Sequence, residues 1–365
     1  LGVLWRPPPI KGLRYLKHGW QSWSHNGICD LDAAGDPAFG SSAWLRGLHH
    51  TRERCPPDRA GWHESATVGL VGAAEGGANC LVGALETGRA FSAVYLRKAL
   101  NGVAIELEQI LEVTLEPDET RLLEAVRVSL GPEASRLLDA FASLWGREAN
   151  ARTTSPFKAG WCSWYRFFHE VTEDDLVRNL DALSSAREAF GIEAVQLDDG
   201  YQHAIGDWLE TNHKFKSDLP ALARRIRSAG FVPGLWTAPF CVVPESRLFR
   251  SHPDWLLRDA SDDGTPFVGT FVPAWTQNGG VHVLDTTRED VIQHLESVFR
   301  ELTGMGFDYL KLDFLHSVAG FARAHDAART RAERLRRGLE AIRHGAGERA
   351  FLLGCGCPMG PAVGI

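Results

Sequence analysis

The stretch Tyr309-Leu310-Lys311-Leu312-Asp313-Phe314 sets a lysine and a carboxylate two residues apart inside an apolar run. Side chains alternate faces along a strand, so Lys311 and Asp313 share one side, opposite Leu310 and Leu312. A purely structural ion pair there is costly to desolvate and seldom stabilises much, which favours a functional role. The lysine would keep the aspartate ionised, as a nucleophile requires. Other strand-like runs end in similar residues: Trp161, Trp164 and Tyr165; Asp198 and Asp199; Trp236; Asp285; Cys355. Aromatic rings stack on the apolar face of a pyranose, while Asp and Lys pair with its hydroxyls. Each also has a plainer reading. Asp198 and Asp199 suit a cap or a cation, Trp236 a core position, and Asp285, before Thr286 and Thr287, a helix start. Trp164 and Tyr165 alternate faces, which leaves one of them for the core. Three classes remain open on these residues: a glycoside hydrolase with Asp313 as nucleophile or stabiliser, a Schiff-base aldolase using Lys311, and a sugar-binding barrel without turnover. The tryptophan content, 12 in 365 residues, favours a sugar.

These residues need a scaffold that gathers strand ends. Residues 1–131 read as a β-sandwich domain: the runs 66–73, 79–87, 91–98, 102–117 and 120–130 are strand-like and split by Gly, Asn and Pro. Residues 132–152 carry a linker helix, with apolar residues at helical spacing over 133–149. From 153 to 365 the pattern is strand, loop, helix, repeated. Strands are expected at 157–165, 193–201, 232–240, 281–287, 308–314 and 350–358. Helices are expected at 173–190, 219–229, 288–303 and within 320–344. Thr172 with Asp175 and Thr287 with Asp290 suggest capping boxes, and Asp218 a cap followed by Pro220. One-faced helices between strands mean a parallel sheet. The bulky Trp161–Phe168 segment offers no phosphate cradle, so the reading is a (β/α)8 barrel with about six strand–helix units present. Barrel chemistry sits at the C-terminal strand ends.

The composition is 44% apolar and 23% charged with a net charge of −7, which gives no sign of a nucleic-acid or anionic-membrane partner. No apolar run is long enough to span a bilayer. The seven cysteines (Cys29, Cys55, Cys80, Cys162, Cys241, Cys355 and Cys357) are scattered without a CxxC pair, so a reduced, cytoplasmic compartment is expected and zinc ligation is not.

In order along the chain, GWQSWS (19–24), GWCSWYRFFHEVTEDDLVRNLDAL (160–183), QLDDGYQHAIGDWL (196–209), GLWTAPF (234–240), YLKLDF (309–314) and LLGCGCPMGPAVG (352–364) resemble glycoside hydrolase family 36, the bacterial and archaeal α-galactosidases. The resemblance implies an N-terminal antiparallel β-sandwich before a (β/α)8 barrel, and retaining hydrolysis of terminal α-galactosyl units on oligosaccharides such as melibiose or raffinose-type sugars. It implies Asp313 as the nucleophile and Lys311 as a hydroxyl partner. Asp198 and Asp199 would hold the hydroxyls around C4 and C6, and Trp236 would line the pocket. Trp23 would reach over the barrel mouth, Tyr165 and Cys355 would be wall positions, and Trp208 would lie at the rim. No metal or organic cofactor is implied, because two carboxylates suffice; oligomeric state is left open. α-Galactosyl transfer of the raffinose-synthase type and α-N-acetylgalactosaminide hydrolysis are the alternatives within the family.

The chain also departs from the family's pattern. The family's acid/base aspartate, in a stretch reading roughly R-I-G-P-D, would follow the segment matched by Gly360–Ile365, and the sandwich normally begins well before Gly19. Both ends read as truncated on this comparison, and the isolated 365-residue chain is expected to be inactive and poorly soluble.

Overall fold

The computed structural model describes residues 1–7, 12–33, 60–73, 76–155, 158–261 and 264–365; Cys55 and the expected strand start at Phe157 lie outside them. The chain divides into two compact units, Leu1–Arg152 with Ala327–Arg336 and Pro358–Ile365, and Thr153–Asp326 with Arg337–Cys357.

The first unit is built on β1 (Gly2–Trp5), β2 (Leu13–Lys17), β3 (Gly27–Asp30), β4 (Trp62–Ala66), β5 (Val68–Ala73), β6 (Asn79–Leu85), β7 (Phe91–Ala99), β8 (Gly102–Ile110) and β9 (Ala125–Gly131). They form two antiparallel sheets, ordered β1-β8-β7-β4 and β3-β2-β5-β6-β9. Strict alternation on β8 turns Val103, Ile105 and Leu107 inward, where they meet Val71, Cys80, Val82 and Ala84 from the other sheet. Strand β6 is buried on both faces. Its odd-numbered Leu81 and Leu85 lie with Phe141 and Trp145 of the helix Ala134–Glu148, which explains its continuous apolar sequence. A Cβ on Gly83 would stand 2.6 Å from the Phe141 ring, so only glycine lets this helix close on the sheet.

The second unit contains β10 (Gly160–Cys162), β11 (Ala194–Leu197), β12 (Val232–Thr237), β13 (Cys241–Val242), β14 (Arg258–Asp259), β15 (Val268–Phe271), β16 (Gly280–Val283), β17 (Tyr309–Leu312), β18 (Ala322–Arg323) and β19 (Phe351–Gly354). A five-stranded parallel sheet runs β10-β11-β12-β17-β19. Its helices carry the expected signals. Thr172 and Asp175 make a reciprocal capping box on the helix Glu173–Phe190, which stops at left-handed Gly191. Asp218 caps the helix Leu219–Ser228, whose buried Leu219, Leu222, Ala223 and Ile226 form one stripe.

Three expectations need correction. The expected strand 281–287 does not join the parallel sheet: β16 pairs antiparallel with β13 and β15. The parallel sheet among the described residues therefore has five strands and not six. A short apolar run such as Val281–Leu284 reads alike in either setting, because periodicity does not encode strand direction. Among the described residues of the expected strand 157–165, only β10 is pleated, and the chain then turns into the short helix Trp164–Phe167. The Thr287/Asp290 box does not form, because buried Asp285 takes the Thr287 hydroxyl at 2.7 Å and Arg288 takes Asp290.

No helix among the described residues is long and apolar enough to cross a membrane. None of the six described cysteines is in a disulfide.

One buried acid in the first unit links its stability to pH. Glu86 Oε1 accepts the Ser92 N–H at 2.8 Å, and burial, with the Glu124 charge adding to it, pushes its carboxyl up to about 8. The folded state thus holds a proton that the unfolded chain releases near pH 4.5. This contribution is complete below that pH and is lost as pH rises through about 8. We predict that urea unfolding shows wild type losing roughly 1–3 kcal/mol between pH 5 and pH 8 relative to Glu86→Gln. Parallel pH profiles for the two proteins would contradict this.

Candidate active site

The parallel register brings the candidate residues to one end of the sheet. Trp236 stands beside Lys311, and Lys311 beside Leu353. Past the last ladder rungs, Ser163, Asp198, Asp313 and Cys355 continue the pairing. Asp198 N–H donates to Ser163 Oγ at 2.9 Å, Asp313 N–H to Thr237 O at 2.8 Å, and Cys355 N–H to Leu312 O at 2.8 Å.

Lys311 and Asp313 do share a side, with Nζ 3.9 Å from Asp313 Oδ2. The closer partner, however, is Asp198, whose Oδ2 accepts from Nζ at 2.8 Å. Burial opposes the Lys311 charge, but the charge and hydrogen bond of Asp198, with Asp313 behind them, outweigh it and hold the ammonium above the ordinary lysine range. Asp313 is 8% exposed. Its Oδ2 accepts the Trp236 indole N–H at 3.0 Å, and its Oδ1 accepts the Phe314 N–H at 2.8 Å. Phe314 itself takes a left-handed conformation, φ 54° and ψ 31°, so the chain turns sharply just past the carboxylate.

Asp198 also accepts from the Gln196 amide and, at 3.4 Å, from the Cys162 thiol. Burial and the Asp198 charge push that thiol up to about 12, so Cys162 is a donor here and no nucleophile. Asp199 Oδ1 accepts from Gln202 Nε2 at 2.7 Å. Its Oδ2 accepts from Trp275 Nε1 at 2.7 Å and lies 2.9 Å from His169 Nδ1. The Tyr201 hydroxyl donates to Trp236 O at 3.1 Å, and burial with the Asp199 and Asp198 charges keeps it protonated, well above the usual phenol range.

Burial drives His316 down to about 4, against a bond to Gly356 O. It is therefore neutral at neutral pH and is no imidazolium acid. Among the described residues no group of three or more His, Cys, Asp or Glu is arranged to hold a metal ion.

The structure brings Asp198, Asp199, Trp236, Lys311 and Asp313 together. Trp208, expected at a rim, is buried at 3% and backs Trp236 edge-on with ring centroids 5.7 Å apart; a large apolar ring is worth more in the core than in water. Tyr165 is 81% exposed on the short helix Trp164–Phe167 and lines no closed wall. Cys355 is half-buried beside Leu312. Trp23 belongs to the first unit and is 36% exposed, its backbone N–H donating to Gln21 Oε1. Asp285 is structural, accepting from Thr287 and from the His325 N–H.

Sequence reasoning missed His169, Gln196, Gln202 and Trp275. Gln196 was open to it, being on the same face as Asp198 two residues on. Trp275 reaches Asp199 across 76 residues from a loop without periodicity, which leaves no local signal.

Known proteins resemble this chain in sequence and fold. The melibiase family model matches residues 161–341. The structure of TtGalA, an α-galactosidase from Thermus thermophilus in complex with stachyose, superposes with a TM-score of 0.73 at 30% identity, covering 100% of this chain and 70% of that one. The α-galactosidase AgaA of Geobacillus stearothermophilus is 30% identical over 161 residues, 41% of this chain and 20% of its own length. An Escherichia coli α-galactosidase is 29% identical over 135 residues, 34% of this chain and 17% of its own length. The matches thus span about a fifth of the length of these curated relatives.

Lys311 is the test of the arrangement's energetics, with side-chain exposures of 12% for it and 2% for Asp198. Lys311→Met strands a buried carboxylate, and we predict a loss of about 3–5 kcal/mol in urea unfolding. Adding Asp198→Asn should restore a good part of it. A single substitution costing less than about 1 kcal/mol would show the pair to be solvated.

Proposed function

The chain belongs to the melibiases, the glycoside hydrolase family 36 α-galactosidases, and from that membership we propose that the protein hydrolyses terminal α-galactosyl residues of oligosaccharides with retention. The observation that carries this reading is the Asp313 carboxylate. It is buried at a strand end, held by Trp236 and Phe314 on its two oxygens, with the Lys311 ammonium 3.9 Å away.

In the proposed reaction an Asp313 oxygen attacks the anomeric carbon as the bond to the leaving oxygen breaks, giving a β-linked galactosyl ester. The leaving oxygen takes a proton from a second carboxyl group, ~5 Å away in retaining enzymes. Water then gives a proton to that same group and attacks the anomeric carbon, which frees Asp313. Asp198 and Asp199 are not assigned the acid role, because each already accepts from several donors. They hold sugar hydroxyls, with Lys311 donating to a hydroxyl between Asp198 and Asp313. Trp236, edge-on between Trp208 and Trp275, supports the pocket and orients the nucleophile through its N–H. Short α-galactosides of the melibiose and raffinose type are the proposed substrates, in keeping with the stachyose bound to TtGalA.

The Schiff-base alternative fits poorly. Such a lysine must lose its proton easily, whereas Lys311 is held above its ordinary range by Asp198 and Asp313. Borohydride with a carbonyl substrate should therefore leave Lys311 unlabelled.

The test uses the full-length protein on p-nitrophenyl α-galactoside. Wild type should turn over. Asp313→Ala should lose at least about 10⁴-fold in kcat, and azide should revive it with β-galactosyl azide as product. A mutant that keeps its activity would remove Asp313 from the role, and a folded but inactive wild type would remove the galactosidase reading.

A further inference from the structure

We propose that His169 and Trp275 are a positioning pair that aims Asp199 at the sugar and thereby sets the enzyme's epimer selectivity. The inference rests on the galactosidase reading and adds to it two residues that themselves need not touch substrate.

Asp199 is 2% exposed and is held from three directions. Trp275 Nε1, at 2.7 Å, and His169 Nδ1, at 2.9 Å, converge on Oδ2, while Gln202 Nε2 takes Oδ1 at 2.7 Å. A carboxylate offers about four acceptor directions. Gln202 takes Oδ1 and Trp275 takes Oδ2, with the His169 ring against the same Oδ2, which leaves acceptor capacity in a fixed direction for a sugar hydroxyl. Donors on both oxygens prevent the carboxylate from turning to follow a displaced hydroxyl. A sugar whose hydroxyl misses that direction leaves a buried acceptor unpaired, which is the arrangement that discriminates most strongly between close analogues.

His169 is itself fixed. Trp164 packs edge-on against its ring with centroids 4.9 Å apart, and its carbonyl accepts from Lys214 Nζ. The segment approaches Asp199 so closely that a Cβ on Gly200, at φ +119°, would stand 2.7 Å from His169 O. The residue before it, Phe168, adopts φ 49° and ψ −140°, a conformation that disfavours any side chain. Strain of this kind persists where the surroundings impose it, and here it delivers the imidazole to Asp199. Trp275 links the same point to the nucleophile, since its ring lies edge-on to Trp236, 5.8 Å between centroids, and to Phe314, 4.8 Å between centroids. These are the two residues whose N–H groups hold Asp313.

A merely structural tether between the 168–170 turn and Asp199 would give the same distances, so the test needs a readout that a tether does not move. In the full-length protein, His169→Leu removes the polar contact at Asp199, His169→Asn returns a polar group near the place of Nδ1, and Trp275→Phe keeps a ring but not the indole N–H. Steady-state kinetics on p-nitrophenyl α-galactoside and α-glucoside give both KM and selectivity. For His169→Leu and Trp275→Phe we expect KM for the galactoside to rise about tenfold or more with kcat within a few-fold. The galactoside/glucoside ratio of kcat/KM should fall about tenfold. His169→Asn should restore most of both. Unchanged KM and selectivity in a folded His169→Leu protein would overturn the inference while leaving the galactosidase reading intact. So would a His169→Asn protein no better than His169→Leu. If His169→Leu fails to fold, Trp275→Phe decides by the same two quantities. A folded wild type inactive on both glycosides would overturn the proposed function and this inference with it.

Discussion

A single buried ammonium organises the sheet end. Lys311 lies 2.8 Å from Asp198 and 3.9 Å from Asp313, with its side chain 12% exposed. Two carboxylates that share one poorly solvated neighbour repel, and an ammonium set between them offsets that repulsion. It also draws both oxygens toward one point. Its register explains why it can do so: on β17 it stands beside Trp236 of β12, one strand away from the β11 end that carries Asp198. The parallel sheet, its helices and their caps serve to bring these strand ends level.

Around this ionic centre several polar groups are neutral donors. Gln196 and Cys162 address Asp198; Gln202 and Trp275 address Asp199; Trp236 and the Phe314 amide address Asp313. Neutral donors fix carboxylate orientation without adding net charge, so the carboxylates keep their negative charge and spare acceptor capacity. The thiol and the phenol nearest the carboxylates are driven away from ionisation, by burial first and by the aspartates second. They therefore add no competing nucleophile at neutral pH. The aromatic row Trp208, Trp236, Trp275 and Phe314, edge against face throughout, supplies three of those donors and packs an apolar layer behind them.

How much of this was legible in the sequence depended on the range of the interaction. Lys311 and Asp313 were readable because strand alternation is a local rule, and Asp198, Asp199 and Trp236 because carboxylates and rings at strand ends break the core pattern. The sandwich and the capped helices followed from equally local periods. Strand β16 was misplaced because an apolar run of a few residues carries no record of its partner. Lys311 was paired first with its neighbour Asp313, whereas its shorter bond crosses the sheet to Asp198, 113 residues away. His169 and Trp275 sit in segments without a period, so their meeting at Asp199 is a product of tertiary packing alone. Trp208 was recognised as part of the site, but nothing local tells a rim tryptophan from one behind the wall.

Backbone strain marks the same site independently of its side chains. Among the described residues of the second unit, the non-glycine residues with positive φ are Phe168 and Phe314. Each adjoins a residue of the carboxylate network: Phe168 precedes His169, and Phe314 follows Asp313. Large side chains at such angles cost on the order of 1–3 kcal/mol each, and a loop free to relax would avoid both. Phe314 is compensated in part by its amide bond to Asp313 Oδ1 at 2.8 Å and by its ring contact with Trp275. Phe168 has its ring edge-on to Trp164, 5.3 Å between centroids, and Trp164 also packs on His169. Both conformations are thus stabilised by contacts that themselves belong to the site, so carboxylate orientation and backbone geometry fix each other. A substitution that relaxed either turn would release the carboxylate it holds, which is why the network's precision need not come from any one of its hydrogen bonds.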